Sequence, residues 1–377
     1  MKKSKRSFDL SCLPTLLFLS IAMVAIPQSA HADTVEINSS TSSSAPDAEL
    51  ARLGSAHAVS AVREAIAQVR QGQFTAAVPV LQEYALRSDI GATFVLAKLH
   101  QAGLGVEKSE EIAAGYLQAN VDADHAPSLI ALAEVQENSK PAEALKNYKK
   151  AKANGDLTGN LKLGDIYERG LLGQKANPKL AFSNYKKAAE ANNPIGNYHL
   201  ARCYDGGIGT SPNELLATRT FLKAAMQGVP GAQVRMARRY YEGKGLEKDP
   251  VAAFGWLTQA SQKGSIEAMV LLGRRYEAGD IISQNLNLAG QWYSNAAKRG
   301  DPTGKYYLAL LYANGKGTEQ DLARAYVLLH DSAKSLPMAK EALDQLEPKL
   351  SESQLEEAKK KIAEVEANGA GNPNQGG

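Results

Sequence analysis

Apolar and polar positions along this chain alternate with a helical rhythm, and the rhythm itself repeats. An apolar residue, a small residue and, three places further on, an aromatic recur as Leu163-Gly164 with Tyr167, Leu200-Ala201 with Tyr204, Met236-Ala237 with Tyr240, Leu272-Gly273 with Tyr276 and Leu308-Ala309 with Tyr312. The last four are spaced by 36 residues. Weaker copies, Leu96-Ala97 with His100 and Leu132-Ala133 with Gln136, lie upstream, and the step of 31 from Leu132 to Leu163 marks one shortened unit. Spacings of three and four place such residues on one helical face, so each copy predicts an amphipathic helix.

A second helix is predicted in every unit. The sets Ala181/Tyr185/Ala188, Ala217/Phe221/Ala224, Ala253/Leu257/Ala260, Ala289/Tyr293/Ala296 and Ala325/Leu329/Ser332 share spacings of four and three. Small residues there let neighbouring helices approach while one large side chain fills the space between them. Asn177, Asn213, Asp249, Asn285 and Asp321 stand just ahead of these sets as N-caps, with Pro178 and Pro250 at the first helical position. Gly207, Gly243, Gly279 and Gly315 end the first helices, and Gly228, Gly264 and Gly300 end the second. Two turns depart from the pattern: the one after Tyr276 lacks its second glycine, and the Leu132 unit has none.

The segments Met236-Ala-Arg-Arg-Tyr-Tyr-Glu-Gly-Lys-Gly-Leu and Trp292-Tyr-Ser-Asn-Ala-Ala-Lys-Arg-Gly resemble the Sel1-like repeat family. That resemblance implies an all-α, right-handed superhelical solenoid of helix-turn-helix units related to the tetratricopeptide repeat (TPR), each about 36 residues long. The expected organisation is a TPR-like helix pair at 58–90, a Sel1-like array at 91–336 and C-terminal capping helices at 337–367. Ser351 and Gln354 have capping-box spacing in the last of these.

Both ends stand outside this pattern. Lys2, Lys3, Lys5 and Arg6 precede an apolar stretch from Leu13 to Ile26 and the small-residue site Ala30-His31-Ala32, so residues 1–32 read as a cleaved signal peptide. The apolar run is shorter than the ~20 residues that span a bilayer, and an exported, periplasmic protein is expected, not an integral membrane one. A polar linker at 33–57 and a tail at 368–377 are expected to be disordered.

Composition sharpens the picture in three places. Hydrophobic residues make up 44% of the chain but aromatics only 6%, as suits helices packed through alanine. Removing the signal takes four of 43 basic and one of 40 acidic residues, leaving 39 against 39, so overall charge does not point to nucleic acid. Only Cys203 would survive maturation, which excludes an internal disulfide.

Candidate chemistry is sparse. His57, His100, His125, His199 and His330 have no metal-ligand spacing, and no metal or other cofactor is expected. Cys203, in the position held elsewhere by Ile166, Arg239, Arg275 and Leu311, reads as a packed thiol, and no nucleophile motif is present. The candidate partner-binding residues are Arg202, Arg238 and Arg274, one per successive unit, with Arg239 and Arg275 beside them and Tyr241 in a place otherwise held by Glu168, Asp205 and Glu277. First helices of such arrays line the concave surface, where an arginine column would meet carboxylates. The competing reading is pairing within a helix, Arg202 with Asp205 and Arg274 with Glu277, whereas Arg238 faces Tyr241 at that spacing.

The expected function is a non-catalytic protein-interaction scaffold of the bacterial cell envelope. Its expected partners are envelope proteins, or an acidic polysaccharide with its synthase or export machinery, by similarity to Sel1-like components of exopolysaccharide systems. A secreted host-interaction factor and a cell-wall-acting enzyme are the alternatives.

Overall fold

The computed structural model describes residues 60–121 and 123–370. The expected signal peptide, the whole of the expected linker and residues 371–377 of the expected tail lie outside the described residues. Those described form eighteen α-helices and one short 3-10 turn, with no strand among them. In order they are α1 (Ser60–Arg70), α2 (Phe74–Leu86), α3 (Ile90–Ala102), α4 (Glu110–Val121), α5 (Ala126–Gln136), α6 (Pro141–Ala153), α7 (Leu157–Arg169), α8 (Pro178–Glu190) and α9 (Pro194–Gly206). There follow α10 (Glu214–Met226), α11 (Pro230–Glu242), α12 (Pro250–Gln262), α13 (Ile266–Ala278), α14 (Leu286–Lys298), α15 (Pro302–Asn314), α16 (Leu322–Ala333), α17 (Pro337–Leu346) and α18 (Glu352–Ala370). Each helix packs mainly on its neighbours in sequence, the arrangement of a solenoid.

Local chemistry sets the helix limits. Asn177, Asn213, Asp249, Asn285 and Asp321 each accept a hydrogen bond from the backbone N–H three residues on, at 2.8 to 3.1 Å, and so begin α8, α10, α12, α14 and α16. Gly207, Gly243, Gly279 and Gly315 end α9, α11, α13 and α15 in the left-handed conformation. The Leu132 unit, without glycine, ends α5 on right-handed Glu137 and enters α6 at Pro141. Ser351 and Gln354 close a reciprocal capping box at 2.9 and 3.3 Å. Helix α18 runs through Asn368 and Gly369 to Ala370, into the segment read as tail, since one glycine costs a helix only about 1 kcal/mol.

Between the two helices of a unit, the second-helix alanines are fully buried around one large side chain, Tyr185, Phe221, Leu257, Tyr293 or Leu329. Gly164 and Gly273 are small for a definite reason. A Cβ there would fall 2.3 Å from the Tyr185 ring and 2.5 Å from the Tyr293 ring. Burial of these side chains, at about 25 cal/mol per Å2 of apolar surface, holds each pair together.

Candidate functional site

The arginine column divides into two groups once the units are stacked. Members of the first group turn back to the preceding unit. Arg202 reaches Glu168 at 2.8 Å, Arg239 binds Asp205, and Arg275 binds the Tyr241 hydroxyl, each across 34 residues of sequence. The residue in the last turn of one first helix therefore receives a cation from the next first helix. Pairing within a helix, as Arg202 with Asp205 or Arg274 with Glu277, is not what the structure shows: Asp205 takes Arg239 and Lys244, and the Glu277 carboxylate takes the Tyr293 hydroxyl.

Arg239 is not a surface residue. Its side chain is 4% exposed, also donates to the Thr218 hydroxyl at 2.8 Å, and lies over the Phe221 ring at 5.3 Å. Burial pulls the Asp205 carboxyl up, but the Lys244 hydrogen bond and the charges of Arg239 and Lys244 hold it below the usual carboxylate range. Arg275 is 18% exposed, stacks on the Tyr241 ring at 4.3 Å and donates to Asp280 at 2.7 Å. Tyr241 donates its hydroxyl to Asp280 and is an inter-unit contact. The reading of Arg239 as partner-facing is thus corrected, while Arg275 and Tyr241 are held in an inter-unit contact that remains partly exposed. The sequence held the signal, because Ile166, Cys203 and Leu311, which share the column of Arg239 and Arg275, are core residues.

The second group stays outward. Arg238 is about half exposed and pairs forward with Glu267 of the next first helix, so the absence of an acid three residues on did not leave it unpaired. Arg274 is exposed and lies 5.6 Å from the centre of the Tyr307 ring. Arg235, one turn before Arg238, is exposed and makes no ion pair among the described residues; it falls outside the column of Arg202, Arg238 and Arg274 that the sequence displays. With partly exposed Arg202, these residues form a basic face on α9, α11 and α13 that ends in Tyr306 and Tyr307 on α15. Tyr307 stacks on buried Tyr293 with ring centres 5.1 Å apart, which fixes it in place.

A polar cluster flanks that face. Glu168 accepts from the Tyr185 hydroxyl and from Arg202, both at 2.8 Å, and His199 stacks on Tyr185 at 4.5 Å with Nδ1 3.2 Å from the Arg202 guanidinium. Burial and the Arg202 charge lower the His199 pKa, so the ring is neutral. Burial pushes the adjoining Cys203 thiol up to about 12, which keeps it protonated and unreactive. No group of three His, Cys, Asp or Glu able to hold a metal occurs among the described residues, and no described helix is long and apolar enough to cross a membrane.

What this face can do is bind anions. A half-exposed pair such as Arg238–Glu267 is worth only about 0–1 kcal/mol, so a partner's carboxylate can displace Glu267 at small cost. The planar guanidinium groups then offer bidentate hydrogen bonds.

The Sel1 repeat family matches residues 91–119, 134–156, 158–193, 194–229, 230–265, 266–301 and 302–335, which together are more than half of the chain. No curated protein matches it. Among solved structures it is similar to c5321, a protective antigen of uropathogenic Escherichia coli strains displaying an SLR fold, at 24% identity and TM-score 0.55 over 86% of this chain and 72% of that one. It is also similar to a Sel1 repeat protein from Oxalobacter formigenes, at 24% identity and TM-score 0.56 over 63% of this chain and 97% of that one. Both likenesses concern the fold.

Proposed function

Because the chain belongs to the Sel1 repeat family, whose members generally mediate protein–protein interactions, we propose that it is a non-catalytic scaffold of the bacterial cell envelope that grips an acidic protein segment on its first-helix face. The observation that carries this reading is the outward set Arg235, Arg238 and Arg274 leading to the aromatic pair Tyr306 and Tyr307. Guanidinium groups beside tyrosines supply both charge complementarity and the anchors that dominate protein interfaces. Export to the periplasm and a place beside polysaccharide assembly or secretion machinery belong to the same proposal. They rest on the leader-like residues 1–32 and on the resemblance of the repeats.

The test is cross-linked affinity purification of the tagged protein from its native cells, with Arg235→Glu/Arg274→Glu compared with wild type. Neither arginine makes an ion pair among the described residues, and the one contact disturbed inside the fold is that of Arg274 with the Tyr307 ring, so the variant chiefly probes the surface role. An envelope protein with an acidic segment, recovered with wild type and lost with the variant, supports the scaffold. An unchanged set of partners removes this face as the binding site, and recovery of uronate polymer alone moves the ligand from protein to polysaccharide.

A further inference from the structure

A second periodic contact joins four of the units and is absent from two others among the described residues. The residue that caps the C-terminal end of a second helix reaches back to the turn before the unit's first helix. Asn154 donates to the Asp124 carbonyl at 3.0 Å, Gln227 to the Asn192 carbonyl at 3.0 Å, Lys263 to the Gly228 carbonyl at 3.2 Å and Arg299 to the Gly264 carbonyl at 2.9 Å. Lys334 turns instead to Asp331 and Glu366. At the same place in another unit stands Ala191, whose side chain has no donor, and the matching turn residue is Gly155.

A cleft of about 270 Å3 opens where that rung is missing, lined by Gly155, Asn160 and Ala191 with Lys152, Lys187 and Glu190. Its volume is several times the ~30 Å3 share of one water molecule. Asn160 is 4% exposed, and its Oδ1 is buried without a partner. Such an atom costs about 1–3 kcal/mol if nothing satisfies it.

The next unit displays what fits. There Asn197, the equivalent of Asn160, donates to Gln227 Oε1 at 2.8 Å, while Gln227 Nε2 donates to the carbonyl and to Oδ1 of Asn192 at 3.0 and 3.1 Å. Asn192 with Gln227 is thus replaced one unit earlier by Gly155 with Ala191: the turn carbonyl is kept, as at Gly228 and Gly264, and the donating side chain is lost. Lys152 and Lys187 against Glu190 leave the rim positive, which disfavours the ammonium and guanidinium tips used by Lys263 and Arg299. A neutral carboxamide is the remaining match.

We propose that this cleft is a socket for the carboxamide of a glutamine side chain from a bound polypeptide, which completes the missing rung by donating to the Gly155 carbonyl and pairing with the Asn160 amide. The socket shares no residue with the basic face. It gives the scaffold a second, charge-independent point of selection, since a site built to hydrogen-bond a group strongly rejects its apolar isostere.

Nuclear magnetic resonance titration of the full chain with N-acetyl-glutamine-N-methylamide tests this, with the blocked methionine analogue and free glutamine as comparisons. Saturable shifts at the Asn160 side-chain amide and the Gly155 and Gly159 backbone are expected with blocked glutamine, at about tenfold or more the affinity of the methionine analogue. In Ala191→Gln, which rebuilds the neighbouring unit's rung, the shifts should vanish while the urea midpoint rises. Equal response to the methionine analogue, or none to blocked glutamine up to its solubility limit, overturns the socket. Clearly tighter binding of free glutamine overturns the polypeptide assignment in favour of the amino acid itself. The comparison of ligands on wild type stands whatever the behaviour of the variant.

Discussion

Asp205 on one first helix holds Arg239 of the next in an ion pair whose guanidinium is almost wholly enclosed, 4% exposed against 25% for the carboxylate. A charge so placed acts as a fastener between units and is not available to a ligand.

Arg239→Ala leaves Asp205 with Lys244 alone and removes the Thr218 hydrogen bond and the packing on Phe221, and should destabilise the protein by about 3 kcal/mol. Arg235→Ala, on the open face, should change stability by less than about 0.5 kcal/mol. Urea midpoints measure the difference, and hydrogen exchange should locate the Arg239→Ala loss between α9 and α11, because repeat arrays lose structure unit by unit. Equal effects of the two substitutions would contradict the inward placement of Arg239.

The second glycine of the turn inside a unit is required by the neighbouring unit as well as by backbone geometry. At Gly209, with φ +69°, a Cβ would lie 2.0 Å from the Pro178 carbonyl oxygen of α8, whereas at Gly173, with φ +72°, it would meet nothing within 4 Å. Gly173→Ala should cost about 1–2 kcal/mol for the left-handed backbone alone. Gly209→Ala should cost clearly more, because backbone must move to admit the methyl group. Similar thermal midpoints for the two variants would mean that the turn docks less tightly than described.

Three large second-helix side chains are tyrosines, and each gives its hydroxyl to a glutamate of the paired first helix: Tyr148 to Glu137 at 2.6 Å, Tyr185 to Glu168 at 2.8 Å and Tyr293 to Glu277 at 2.7 Å. Where the column holds Phe221, Leu257 or Leu329, the matching first-helix residue is Asp205, Tyr241 or Ala313. A double-mutant cycle of Tyr185→Phe with Glu168→Gln should give a coupling of about 1.5 kcal/mol, the size of a hydrogen bond to a charged group. A coupling near zero would reduce the tyrosine column to packing alone.

His199 makes stability depend on pH. It lies between the rings of Tyr185 and Tyr198, with the Arg202 guanidinium against it and Glu168 and Asp165 exerting the opposing charge. Burial and Arg202 lower its pKa in the folded protein, so below about pH 6.5 the unfolded chain takes up a proton that the folded chain refuses. Its contribution is complete above that value and is lost as the pH falls. The urea midpoint of wild type should drop between about pH 7 and about pH 5 more steeply than that of His199→Gln. Parallel curves would show that His199 is protonated equally in both states.

Much of this protein is determined within single units of its sequence. Caps such as Asn213 and Asp249, terminators such as Gly243 and the buried set Ala217/Phe221/Ala224 act over a few residues or across one helix pair, so their spacing alone predicts the helices and their packing faces. The column shared by Ile166, Cys203 and Leu311 even marked Arg239 as interior, and the joint appearance of tyrosine and glutamate in three units marked their hydrogen bonds. Only the stacked structure decided the fate of each charge. Glu168 with Arg202, Asp205 with Arg239, Arg238 with Glu267 and the gap opposite Ala191 are relations between units, 29 to 36 residues apart along the chain. A long side chain at such a position has carboxylates before and after it within reach, and the direction it takes depends on how adjacent units are rotated against one another. That rotation is set by the summed packing of whole helices, a quantity that no local pattern of residues contains.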